Sequence, residues 1–256
     1  SFAAIVQSPE RLKLLLLLTA ADIRAVGPGT WNGWKGQLLR SLYYETEPRV
    51  AGGHTLMGRH QRVDAAQQSL KAELADWPAE QLESYTGRHY PDYWLKTDVK
   101  KLAEHARLLR KAEAEGRNLI AEFQTDAFTA ITELTVLAPN HPRLLALIAG
   151  ACAAAGANIV GAHISTTRDG LALDTFQLAR EFTEDADEAR RARRIGDSIE
   201  KILKGEVWLD TLLAKRRTPE KRFRAFTVEP EVIINNALSD QFTVIEVAGF
   251  DRPGLL

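Results

Sequence analysis

Between Ser8 and about Gly116 the apolar side chains recur at the spacing of one helix face, and beyond Gly116 they gather into short strand-like runs. Ser8-Pro9-Glu10 supplies an N-cap, a proline at the first helical position and an acidic first turn. The Leu-rich helix that follows carries through to Ile23 and ends near Gly27-Pro28-Gly29. A second helix is predicted over about 32–47, with Trp34, Leu38, Leu39, Leu42 and Tyr43 on one side, and Gly52-Gly53 is a loop. A third, over about 59–77, carries Val63, Leu70 and Leu74 among many charges. Pro78 starts a short helix with Leu82 and Tyr85, Pro91-Asp92-Tyr93-Trp94 reads as a turn, and Thr97 caps a helix to about Glu115.

After Gly116, residues 119–123 and 127–137 read as strands, and 142–155 as a helix with Leu144, Leu145, Ile148, Ala151 and Cys152 at helical spacing. Residues 159–165 and 171–182 form a hairpin about Arg168-Asp169-Gly170, 187–203 a charged helix and 223–234 a closing strand. The order β-α-β-β-α-β is the split βαβ, ferredoxin-like plan, so the fold class is α+β. Residues 204–221 exceed what such a module needs and read as a loop or short helical insertion. The divisions fall at 1–116, 117–236 and 237–256.

The same strand-turn-helix opening occurs twice. Residues 134–137 feed Ala138-Pro139-Asn140-His141-Pro142-Arg143-Leu144-Leu145 and a full helix. Residues 242–247 feed Asp251-Arg252-Pro253-Gly254-Leu255-Leu256, where the sequence stops as a helix should begin. Pro142 and Pro253 lie 111 residues apart. The expectation is one whole module and the opening of a second, in a piece of something longer.

Composition narrows the chemistry. Hydrophobic residues at 45% and charged residues at 26% describe a globular protein, and 256 residues suit two domains. A net charge of −1 gives no pull toward nucleic acid or an anionic membrane. The basic run Arg190, Arg191, Arg193 and Arg194 is matched by Glu181, Glu184, Asp185, Asp187 and Glu188, and reads as a solvated face. The single cysteine, Cys152, excludes an internal disulfide, points to a reducing compartment and sits among alanines as a small core residue. Residues 14–18 are too few to span a bilayer, which takes ~20 apolar residues. They are expected to form a buried helix in a cytoplasmic protein.

His54, His60, His89, His105, His141 and His163 are scattered, with no His-Asp pair, His-x-x-x-His or Cys-x-x-Cys, so no metal site is complete by spacing. They read as surface or core-edge residues. Asp22 lies near the end of an apolar helix, where the dipole disfavours negative charge. It is either a salt-bridge partner of a cation on another helix or a metal ligand whose companions lie elsewhere. The two strand-turn-helix elements aim unpaired N–H groups at the turn, a site suited to a carboxylate. Asn140 or Asp251 can cap the helix and bind an amino group, and Gly254 admits a ligand close to the backbone. Arg143 replaces that glycine in the first copy, where it either clamps a carboxylate or blocks the pocket. Two copies of one polar turn favour a functional role.

Residues 8–12, 17–28 and Trp31-Asn32-Gly33-Trp34-Lys35 combine with Asn140-His141-Pro142, residues 156–160, Phe226-Thr227-Val228-Glu229-Pro230 and residues 251–256. In this combination the chain resembles, over nearly its whole length, the C-terminal half of bacterial bifunctional PII uridylyltransferase/uridylyl-removing enzymes. The resemblance implies an all-helical remnant of an HD phosphohydrolase domain, one ACT domain, and the first strand of a second. In that family a nucleotidyltransferase domain attaches UMP to the PII signalling protein, the HD domain removes it, and the ACT domains sense glutamine, which favours removal. A divalent metal, Mg or Mn, is implied as cofactor. Asp22 looks like the last metal-binding aspartate of the HD signature, with the remaining ligands expected before Ser1. Glutamine is expected at Asn140, His141, Arg143 and Leu144, with Asn158 and Val160 from the neighbouring strand or a partner module. Asp251, Arg252, Gly254 and Leu255 would serve the second copy. ACT–ACT pairing into a homo-oligomer is implied, with no nucleic acid and no membrane, and this piece alone is expected to be inactive. Two other readings stand beside it. One is an oligomerisation module whose ACT units pair edge to edge, which Arg143 in place of glycine favours. The other is the regulatory tail of an amino-acid biosynthetic enzyme, against which Trp31-Asn32-Gly33-Trp34 argues.

Overall fold

The computed structural model describes residues 2–27, 30–31, 33–51, 59–215, 229–237 and 243–249. They fall into two compact units, one of Ser1–Thr55, Phe128–Ala130 and Asp210–Leu256, the other of Leu56–Ala127 and Ile131–Leu209. The expected α+β class holds, with helices first and an antiparallel sheet after them.

In the first unit, α1 (Phe2–Val6), α2 (Pro9–Ala25) and α3 (Gly33–Val50) pack together. Ser8 caps α2 as the sequence predicts, accepting the Arg11 N–H at 3.2 Å. The expectation of a buried Leu-rich helix fails here. Leu12 is buried, but Leu14, Leu15, Leu17 and Leu18 stand 42–66% exposed, because α1 and α3 cover only one side of α2. No helix of the described residues is long and apolar enough to cross a membrane.

The second unit is built on four strands in the order β1-β2-β4-β3, all antiparallel: β1 (Ile120–Asp126), β2 (Ile131–Pro139), β3 (Ile159–His163) and β4 (Leu171–Ala179). Every residue of β4 from 172 to 178 is buried. Side chains alternate between the faces of a strand, so both faces of the sheet must be covered. One face lies against the helices α4 (Arg59–Glu73), α5 (Ala79–Arg88), α6 (Pro91–Lys96) and α7 (Val99–Ala114). There Leu173, Leu137 and Ile120 join Leu70, Leu74, Tyr85, Trp94, Leu102 and Leu109 in one core. That core continues across residue 116, where the sequence pattern changes. On the other face lie α8 (Leu144–Ala155) and α9 (Asp185–Leu203).

The sheet's fourth strand differs from the one expected. Residues 231–235 form β5 (Glu231–Asn235), which pairs with β6 (Val244–Ala248) in a separate ribbon, Glu231 opposite Ala248 and Asn235 opposite Val244. The rest of the predicted closing strand, 223–228, lies outside the described residues. The place beside β2 is taken by β1, in register from Ile120↔Leu137 to Asp126↔Ile131. A hairpin through residues 127–130 closes a far shorter loop than a strand returning after α9, at a smaller entropic cost.

Smaller departures have local causes. Pro91-Asp92-Tyr93-Trp94 makes α6 rather than a turn, with Pro91 at its start and Tyr93 and Trp94 buried. Asp98, not Thr97, caps α7, since its carboxylate reaches the Lys101 N–H at 3.1 Å while Thr97 ends α6. The predicted insertion holds a short helix, α10 (Leu209–Lys215). Of the basic run, Arg190, Arg193 and Arg194 are exposed, but Arg191 is buried against Glu188 at 2.7 Å. Burial alone would raise Glu188. Hydrogen bonds from Thr132, Phe182 and Glu181, with the Arg191 charge, hold it below the usual carboxylate range instead.

A buried polar chain ties the α4–α7 layer to the sheet. Tyr85 and Tyr93 share a hydrogen bond of 2.6 Å, Tyr93 Oη meets His105 Nδ1 at 3.0 Å, and His105 Nε2 meets Thr175 Oγ1 at 3.1 Å. His89 stacks on Tyr93 with centroids 3.9 Å apart. Burial, and after it the Lys101 charge, holds His105 down to about 3; burial holds His89 down to about 4.

Both imidazoles are therefore neutral in the folded protein, whereas the unfolded chain takes up protons below about pH 6.5. The unfolded state binds more protons in the window between, so this contribution to stability is lost as pH falls from 6.5 toward 4. His105→Gln should be less stable than wild type at pH 7.5, and the gap should close by about 2 kcal/mol at pH 4.5, read from denaturant melts. A gap independent of pH contradicts the buried neutral imidazole. A second prediction tests the strand substitution. A Cβ on Gly196 of α9 would meet Phe123 Cε2 of β1 at 2.8 Å. Gly196→Val should cost about 1–3 kcal/mol, and Phe123→Leu in the same chain should recover part of it. Additive losses would mean that β1 does not lie under α9.

Candidate functional site

β2 ends at Pro139, which has no N–H to continue the ladder. Asn140 turns the chain, its N–H donating to the Gly170 carbonyl at 2.9 Å. Helix α8 begins at Leu144, with Arg143 in the cap position at φ −105°, ψ 1° and no side chain capping it. The cap predicted from Asn140 is thus absent. Its Nδ2 points to Thr166 Oγ1 at 3.5 Å, and His141 serves the helix start instead. The Arg143 N–H donates to His141 Nδ1 at 3.3 Å and the Leu144 N–H to the His141 carbonyl at 3.0 Å. The following N–H groups, of Leu145 and Ala146, have no backbone acceptor among the described residues, as the first turn of a helix dictates.

Opposite this turn stands the β3–β4 hairpin. Gly170 takes φ 84°, which suits glycine alone at the apex, and the Thr167 hydroxyl bonds both the N–H and the carbonyl of Leu171. The hairpin is anchored from outside by the Arg168 N–H, which donates to the Arg88 carbonyl of α5 at 2.8 Å. Turn and hairpin flank a half-open cavity of about 370 Å³. Leu144, Leu145, Pro142 and Ile164 give it apolar walls, Asn140, His141 and Thr166 polar ones, and Ala172 and Asp174 line it from β4. The size falls in the range of small-molecule sites.

Asp174 is the group that sequence reasoning missed. It is 2% exposed, and its Oδ1 accepts the Ser165 N–H at 3.2 Å. Burial pushes it up to about 6, against a smaller downward pull from that hydrogen bond. The available signal was a lone carboxylate inside Leu171-Ala172-Leu173-Asp174-Thr175-Phe176, a strand otherwise suited to burial. Thr166 had no comparable signal.

The predicted residues divide. Asn140, His141 and Leu144 line the cavity; Arg143 is exposed at the helix start. Asn158 and Val160 lie at the opposite end of the sheet, where the Ala179 N–H donates to the Asn158 carbonyl at 2.8 Å and Ile159 pairs with Leu178. Within one chain the antiparallel run of β3 keeps them away from the cavity. Asp251, Arg252, Gly254 and Leu255 lie outside the described residues. Cys152 is fully buried and its thiol is pushed up to about 12 by burial, as befits a core residue. His89 and His105 are core residues, His60, His141 and His163 are exposed, and His54 lies outside the described residues.

Asp22 is exposed on α2 and forms no ion pair among the described residues. No group of three or more His, Cys, Asp or Glu among the described residues could hold a metal ion. A single exposed carboxylate does not fit a divalent cation, which takes several ligands.

The family model described as ACT domain matches residues 132–195, from the start of β2 into α9. Over its whole length the chain is similar to proteins named bifunctional uridylyltransferase/uridylyl-removing enzyme. It is 54% identical to those of Bradyrhizobium sp. (strain ORS 278), Bradyrhizobium diazoefficiens and Rhodopseudomonas palustris. The match covers 100% of this chain and 27%, 27% and 28% of those proteins, so the chain spans little more than a quarter of their length.

An exposed carboxylate without a partner contributes little to folding. Asp22→Ala should shift stability by less than about 0.5 kcal/mol in a thermal or denaturant melt. A loss above 2 kcal/mol would restore the salt-bridge reading.

Proposed function

We propose that this chain is the regulatory region, with part of the uridylyl-removing HD domain, of a bifunctional enzyme that attaches UMP to the PII signalling protein and removes it. Glutamine is the effector that tips the enzyme toward removal. The carrying observation is the 54% identity from one end of the chain to the other, across the helical segment as well as the ACT domain. The reading puts the enzyme in the cytoplasm, in keeping with a lone, buried cysteine.

The cavity supports the sensing role. Glutamine presents a carboxylate, an amino group and an uncharged amide. The free N–H groups of Leu145 and Ala146, at the positive end of α8, suit the carboxylate, with Arg143 exposed beside them. Asn140 and Thr166 offer hydrogen bonds, while Leu144 and Ile164 cover the methylenes. The chemistry of removal needs a metal that Asp22 alone does not hold, so among the described residues Asp22 is the one ligand offered to a centre completed elsewhere in the enzyme. A second reading, ACT pairing into a homo-oligomer, draws on β3. This strand has β4 on one side and no strand on the other, leaving a free ladder edge among the described residues.

Calorimetric titration of L-glutamine into the purified chain tests the sensing role. Saturable binding is expected, weakened about tenfold by Asn140→Ala, equivalent to about 1.4 kcal/mol. Absence of binding both here and in the full-length enzyme would overturn it. The same preparation should show no metal-dependent release of UMP from uridylylated PII, and measurable release would contradict the account of Asp22.

A further inference from the structure

One carboxylate of the cavity is only half bonded by its walls. Asp174 is 98% shielded from solvent by its 2% exposure, yet of its two carboxylate oxygens only Oδ1 receives a hydrogen bond from the protein, the Ser165 N–H at 3.2 Å. No lysine or arginine pairs with it among the described residues. A carboxylate so deeply placed costs stability unless a cation meets it, and strands that bury their whole length normally exclude one. Its position is not incidental, because it lines the cavity whose other wall is the N-terminal turn of α8. The cavity is therefore polarised. Backbone N–H groups with partial positive charge stand at one side and a full negative charge stands at the other.

We propose that Asp174 is the residue that receives the protonated α-amino group of the ligand and so sets the preference for glutamine over its desamino analogue. This rests on the sensing role given above and adds to it the residue that meets the α-amino group. A zwitterion fits the polarity in one orientation, carboxylate toward the helix start at Leu145 and ammonium toward Asp174. Thr166 and Asn140, whose side chains approach each other at 3.5 Å, stand between these poles and can bond an uncharged side chain. The upward push on Asp174 from burial agrees with the geometry, since an arriving ammonium would replace the lost hydration. Placing the carboxylate on β4 also gives the bound state a mechanical outlet. Thr175, the next residue, points to the opposite face and holds His105 of α7 at 3.1 Å.

The test pairs a change in the protein with the matching change in the ligand. L-glutamine and glutaramate, which is glutamine without its α-amino group, are titrated into the full chain and into Asp174→Asn. Asparagine keeps an acceptor for the Ser165 N–H, so a purely structural role survives the substitution. Wild type should bind glutamine at least tenfold more tightly than glutaramate, and Asp174→Asn should bind the two within about threefold of each other. Asp174→Asn should also melt no lower than wild type at pH 7.5 without ligand, because it removes a buried charge. If the variant keeps the wild-type preference, or if wild type shows none, the assignment of Asp174 is overturned while glutamine sensing stands. If neither the chain nor the full-length enzyme binds either compound, both fall.

Discussion

Two central strands, β2 and β4, carry side chains that are buried on both faces, and this forces a three-layer unit. A strand whose alternating residues must all leave water needs a helix layer above and another below. On one side α8 and α9 supply it, and on the other α7 with α4 to α6. The sheet is thus not a free-standing module joined to a helical neighbour by a tether. Its second face is part of the neighbour's core, with Ile120, Leu137 and Leu173 packed among Leu102, Leu109 and Trp94.

That arrangement puts the cavity wall and the helical scaffold on consecutive residues. Asp174 lines the cavity on one side of β4, and Thr175 bonds His105 on the other. Lys101 of α7 adds a second tie, pairing with Glu133 of β2 as well as Glu104 of its own helix. Close-packed layers of this kind pass on small displacements instead of absorbing them. An effector that favours one position of β4 therefore has a direct route to the helices, through hydrogen bonds whose lengths are already set. A coupling of this kind requires only that the effector bind one arrangement more tightly than another.

Much of this was legible in the residues and some was not. Local chemistry could be read directly: Ser8 before Pro9 starts α2, Gly170 turns the hairpin, and Pro139 ends β2 just before the helix whose mouth forms the cavity. Asn140, His141 and Leu144 line the cavity because the turn that delivers the start of α8 places them there. Long-range choices were hidden. Nothing in residues 119–123 or 231–235 says which will lie beside β2, since both read as strands and the decision rests on loop closure. The leucines of α2 look like core residues in any sequence, yet their burial depends on what packs against them. Asp98 beats Thr97 as a cap by one residue, within the ordinary uncertainty of helix ends. Asp174 is not legible in the sequence because a single carboxylate in an apolar strand carries no periodic signal. Its meaning appears only when the helix start across the cavity is in view.

Hydrogen–deuterium exchange of the chain with and without L-glutamine tests most directly whether the cavity between the β2–α8 turn and the β3–β4 hairpin is the sensing site. Binding there should slow exchange in residues 140–147 and 164–174, with a smaller effect reaching residues 102–109 of α7. Saturating glutamine that leaves these segments unchanged, or that protects only the far end of the sheet around Asn158 and Ala179, would contradict it.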